Sequence, residues 1–143
     1  MNHWLALAVA AIFVWLGMVF AISFLEAPLK FRAPGITIPL GLGIGRLVFR
    51  ALNICEVVLA AVALVAVVLG RAPGGATAAL VVAVAALGAQ VLAVRPALTR
   101  RSDAVLADPA VAESGRSNAH VVYVGFEAVK VVALLVSGVL LLA

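Results

Sequence analysis

The side chains able to do chemistry in this sequence collect in one apolar segment, HVVYVGFEAVK, residues 120–130. His120, Tyr123, Glu127 and Lys130 stand at relative positions 0, +3, +7 and +10, and helical periodicity puts all four on one narrow stripe. A second apolar segment, GRLVFRALNICE, repeats the spacing with Arg46, Phe49, Asn53 and Glu56. Two helices therefore carry matching polar seams. If both leave the same membrane face at similar heights, Glu56 and Lys130 reach one depth, about 15 Å along the helix from Arg46 and His120 at the standard rise. An ion facing lipid at the centre of a helix costs about 2.5–3.5 kcal/mol on an insertion scale, so Glu56, Glu127 and Lys130 are expected to face one another inside a bundle. Glu127 and Lys130 are i,i+3 neighbours, which lets one ammonium serve two carboxylates. The remaining carboxylate then needs a proton, Arg50 or a bound cation.

Such a pattern supports two functions of different kinds. In the first, Glu56, Glu127, Lys130 and Asn53 form an intramembrane polar site, and Arg46, Arg50, His120, Tyr123 and Gln90 line its cytoplasmic vestibule. The chain is then a small permease-like or ion-handling protein. In the second, the same ions are a structural clasp that fixes helix register in a non-catalytic accessory or assembly subunit of a larger membrane complex. An enzyme ranks last, because no nucleophile, metal set or cofactor motif is visible. No cofactor is expected. A carboxylate-bridged metal pair wants Glu-x-x-His on a helix, which the sequence lacks. His3 and His120 are expected on opposite faces, which argues against a bis-His haem within one subunit. The single cysteine, Cys55, allows neither an internal disulfide nor a paired thiolate site and reads as a small filler in a span.

The elements that must hold these residues follow from composition. Of 143 residues, 66% are hydrophobic and 11% charged, and the mean hydropathy is +1.29, a membrane composition. The net charge of +4 then belongs to residues that set orientation and touch anionic headgroups, and nucleic acid is not expected as a partner. The expected partners are the lipid bilayer and either a second copy of the chain or a larger membrane complex.

Apolar runs predict spans over residues 4–25, 44–70, 77–95 and 119–143 in a single integral membrane domain covering 1–143. The first run carries no charge and is longer than the apolar core of a signal peptide, so it is read as retained. Pro28, Pro34 and Pro39 are expected to make 26–43 a connector, with a Glu26–Lys30 pair forming only if the first helix continues through Pro28. Gly41 and Gly45 offer a close approach to a neighbouring helix. RAPGGA, residues 71–76, reads as a turn, Pro96 as the end of the third span, 96–118 as a water-facing connector, and Ser117 or Asn118 as the cap of the fourth span. Lys30, Arg32, Arg46, Arg50, Arg95, Arg100, Arg101 and Arg116 flank two connectors, against Arg71 alone on the other side. The positive-inside rule puts both connectors in the cytoplasm and both termini outside the plasma (inner) membrane. The expected fold is an all-α four-helix transmembrane bundle. Its halves echo one another as two parallel helical hairpins, each breaking at a proline beside basic residues and returning with a polar seam.

With WLGMVF in the first span, GRLVFRALN opening the second, VRPALTRRSDAVL after the third and SNAHVVYVGFEAVK leading the fourth, the chain resembles small bacterial four-span membrane proteins of the transmembrane protein 205-like family. His120 is followed here by Val121, where a histidine-glycine pair is associated with that family. The resemblance implies an integral membrane bundle and carries no settled biochemical activity.

Overall fold

In a hydrocarbon solvent each backbone N–H and C=O must be satisfied within the protein, so long uncharged runs fold as helices. The computed structural model describes residues 1–108, 110 and 118–143, with side chains in the last stretch from Val121 onward. It contains four helices long and apolar enough to cross a membrane: α1 (His3–Lys30), α2 (Ile38–Leu69), α3 (Gly74–Ala107) and α4 (Asn118–Leu142). No strand occurs among the described residues. Ser117, Arg116 and the side chain of His120 lie outside them.

The helices overrun the spans expected from the prolines. α1 continues past residue 25 to Lys30 and α3 past residue 95 to Ala107, so Pro28 and Pro96 sit inside helices. Proline lacks an N–H and its ring crowds the carbonyl four residues back. Both helices meet this demand in the same way, by widening into a π-turn just before the proline: Phe20–Glu26 in α1 and Gln90–Val94 in α3. There the Ala27 N–H donates to Ile22 O and the Arg95 N–H to Gln90 O, five residues back. Pro39 opens a helix instead of breaking one. It lies in the first turn of α2, where no N–H is needed, and Thr37 caps that turn by accepting from the Leu40 N–H at 3.2 Å. Because α1 runs through Pro28, Glu26 and Lys30 come within 4.0 Å of each other.

Each helix packs against its neighbours in sequence, and α4 closes the ring on α1. α1 and α3 therefore face each other across the bundle, as do α2 and α4. Small residues make the close approaches possible, with Ala8 and Ala11 of α1, Ala60 and Ala63 of α2, and Ala83 of α3 in the core around Ile12, Trp15, Leu80 and Leu134. Large apolar side chains point outward instead: Leu92 is 82%, Leu47 73% and Val68 70% exposed. Such an outer surface is solvated by lipid, which makes the protein membrane-embedded. At the end holding both termini, Asn2 Nδ2 donates to Gly70 O at 3.1 Å. The opposite end carries the 31–37 turn and most of the basic residues, and Arg46 of α2 meets Asp103 of α3 there at 2.6 Å.

Candidate functional site

Halfway along the bundle the two polar seams meet. Lys130 Nζ of α4 donates to Glu56 Oε2 of α2 at 2.5 Å, and the same ammonium lies 2.6 Å from Glu127 Oε1 one turn earlier on its own helix. Glu56 and Lys130 are wholly inaccessible and Glu127 is 1% exposed. A helical side chain leans toward the N-terminus of its helix, which brings the Lys130 ammonium back over Glu127 and across to α2. The bridge spans the diagonal between two helices whose backbones stay apart.

The other diagonal is joined at the same level. Gln90 of α3 donates through Nε2 to Glu127 Oε1 at 2.7 Å and to the Tyr123 carbonyl at 3.2 Å. Ser23 of α1 donates through Oγ to Glu127 Oε2. Trp15 of α1, fully buried, donates its indole N–H to Glu56 Oε2 at 2.7 Å. All four helices thus contribute a hydrogen-bonding side chain to one cluster. Ser23 lies within the π-turn of α1, and Gln90 begins that of α3, so the proline-driven widening falls where the helices must present a polar group to Glu127.

The donors are shared unevenly. Both oxygens of Glu127 have partners, whereas Glu56 Oε2 accepts from Lys130 and Trp15 and Glu56 Oε1 has none among the described residues. Gln90 Oε1, Asn53 Oδ1 and the Tyr123 hydroxyl are likewise buried without partners. Two carboxylates facing one ammonium leave the cluster one negative charge in excess unless a proton or cation joins it.

The expected site residues separate into three groups. Glu56, Glu127 and Lys130 come together as anticipated, with Asn53 buried one turn before Glu56. Gln90 and Tyr123, assigned above to a vestibule, are 0% and 5% exposed. Gln90 is a member of the cluster, and the Tyr123 ring packs edge-on against Phe49 with centroids 5.7 Å apart. Arg46 stays at the basic end with Asp103. Arg50 is exposed and forms no salt bridge among the described residues. It stands six residues before Glu56, which is about 120° around a helix of 100° per residue, so it does not balance the spare carboxylate. Cys55 is exposed on the outer face.

Trp15 and Ser23 were not anticipated as site residues. Each carries a signal, since an indole N–H deep in a charge-free run needs an acceptor and Ser23 is the only hydroxyl residue between residues 4 and 25.

Fold and cluster together define a multi-pass, four-helix membrane protein with a buried Glu/Lys ionic centre. No protein-family model, curated protein or solved structure matches the chain.

Proposed function

We propose that this chain is a small ion-handling, permease-like membrane protein whose working site is Glu56, Glu127 and Lys130, with Asn53 beside it. One observation carries the reading: among the described residues, two buried carboxylates share a single ammonium, and one carboxylate oxygen has no partner. An uncompensated charge in a low-dielectric interior is costly, so the centre is built to take up and give back a positive ion. The excess of Lys and Arg at one end supports an orientation in the inner membrane with that end cytoplasmic and both termini outside. Kinship with the transmembrane protein 205-like family belongs to the same proposal and rests on the motifs quoted above.

The test is flux in proteoliposomes. Glu56→Gln is expected to abolish a proton or cation flux that the native protein supports while leaving the bundle folded, and an unchanged flux removes the reading.

A second reading, an accessory subunit docked on a larger membrane complex, draws on an apolar groove between α3 and α4 lined by Ala79, Val82, Val129, Val132 and Val136. It predicts co-purification of a partner that is lost when Val132 is replaced by a bulkier residue, with no change in flux.

A further inference from the structure

Resting on the ion-handling reading, we infer that the ion taken up at this centre is a proton, that its seat is Glu56 Oε1, and that it arrives only from the basic end. The first step is steric. Glu56 is 0% exposed and its Oε1 has no partner, so no water-sized sphere touches that oxygen even within the protein. A metal cation needs several oxygens around it at about 2.0–2.6 Å, and room to sit among them. A proton needs no volume.

The second step is electrostatic. Lys130 and Glu127 face Glu56 from α4, with Tyr123 one turn below Glu127. Gln90 contributes a neutral amide from α3, and Arg95 of that helix stands five residues nearer the basic end. α1 contributes Trp15, a neutral donor, and carries Glu26 and Lys30 further toward the basic end. Among these groups the one ammonium within bonding distance of Glu56 is already divided between two carboxylates. Protonation at Glu56 Oε1 forms one O–H bond, takes the cluster from one negative charge to neutral, and leaves the Lys130 and Trp15 bonds to Oε2 in place. The donor is hydronium at the basic end, which leaves as water.

The third step is the asymmetry of polar groups along the bundle. Asn53 Oδ1, the Tyr123 hydroxyl, Glu26 Oε2 and Ser102 Oγ are buried without partners among the described residues, and all lie on the basic side of the cluster. Asn53 precedes Glu56 by three residues and Tyr123 precedes Lys130 by seven, roughly 4.5 Å and 10 Å of helix rise. Toward the termini, α2 runs thirteen apolar residues from Glu56 to Leu69, about 20 Å. The buried hydroxyl on that side, Ser137, is occupied by the Ala76 carbonyl at 2.8 Å. Among the described residues, buried polar side-chain atoms without a partner therefore lie at the cluster or on its basic side.

Trp15 is a built-in reporter, because its indole N–H sits on Glu56 Oε2. Trp4→Phe makes it the sole tryptophan. In vesicles sorted for one orientation, Trp15 emission is expected to shift in a single pH step that follows the pH at the basic face, that excess sodium or potassium leaves in place, and that Glu56→Gln abolishes. Glu127→Gln also removes the surplus charge and must abolish the step as well, so the test survives if one variant does not fold. A signal that follows sodium or potassium instead of pH overturns the proton while leaving the ion-handling reading intact. A step that persists in either variant, or that follows pH at the opposite face, overturns the inference. So does the absence of any response, in which case the flux measurement decides whether the broader reading also falls.

Discussion

Replacing Lys130 with methionine keeps the length and bulk of the side chain and removes its charge. In the native protein that charge sits 2.5 Å from Glu56 Oε2 and 2.6 Å from Glu127 Oε1, with both pairs sealed from solvent. Without it two carboxylates face each other across the bundle diagonal with Trp15, Gln90 and Ser23 as their remaining donors. Breaking a buried pair by deleting one partner costs about 3–5 kcal/mol. At about 1.4 kcal/mol per factor of ten, the folded-to-unfolded ratio should fall some hundred- to several-thousand-fold. Denaturant-induced unfolding in mixed micelles measures this directly. The triple variant Lys130→Met, Glu56→Gln, Glu127→Gln contains no ion at the centre and should recover to within about 1 kcal/mol of native, because the destabilisation comes from unpaired charge and not from lost bulk. Glu56→Gln alone subtracts the surplus charge, leaves Lys130 and Glu127 one to one, and should be close to neutral. If Lys130→Met unfolds within about 1 kcal/mol of the native protein, the carboxylates are not held in place by that ammonium, and the account of the cluster is wrong.

Three other perturbations follow from the same geometry. Trp15→Phe removes a hydrogen bond to a charged acceptor and should cost about 1.5–3 kcal/mol in the same unfolding assay, with most of that loss absent in a Glu56→Gln background. A Cβ added at Gly138 would lie 2.7 Å from the Phe13 ring, whereas one at Gly17 meets nothing within 4 Å. Gly138→Ala should therefore cost about 1–3 kcal/mol, and Gly17→Ala should be neutral or gain up to about 1 kcal/mol, as measured by thermal unfolding. Asp103→Asn breaks the Arg46 pair, whose side chains are 41% and 58% exposed. Its effect should stay below about 1 kcal/mol and vanish at high salt, which melting curves at two ionic strengths will show.

The parts of the site that were legible in the sequence are those governed by helical periodicity. Asn53 and Glu56 on one helix, and Tyr123, Glu127 and Lys130 on another, announce their shared faces by spacing alone. The penalty for ions in lipid then requires those faces to meet. Trp15, Ser23 and Gln90 join the cluster through the axial height at which α1 and α3 pass α2 and α4, and no single segment encodes that height. The prolines misled for a related reason. Pro28 and Pro96 read as helix ends because in water a broken helix rehydrates its freed carbonyls. Within a bilayer there is no water to take them, so the chain keeps its hydrogen bonds by widening into π-turns. Those turns carry Ser23 and Gln90, so the feature that obscured the span boundaries also supplies Ser23 and places Gln90 in the cluster rather than in a vestibule.

If the proton proposal holds, a clasp and a working site need not be alternatives. α2 and α4 stand across the bundle from each other, and the Lys130–Glu56 bridge is the ionic tie of that diagonal, beside the Phe49–Tyr123 ring contact. A hydrogen bond to an ionised acceptor is roughly twice as strong as one between neutral groups. A proton on Glu56 therefore converts the tie from an ion pair into an ion–dipole contact. At the same moment it relieves Glu127 of a competitor for the ammonium. The proposed loading would then weaken the α2–α4 diagonal relative to the other, which Ser23 and Gln90 join through Glu127. On that proposal, loading from the basic end acts first on the α2–α4 tie, next to the apolar half of α2 that runs from Glu56 to Leu69.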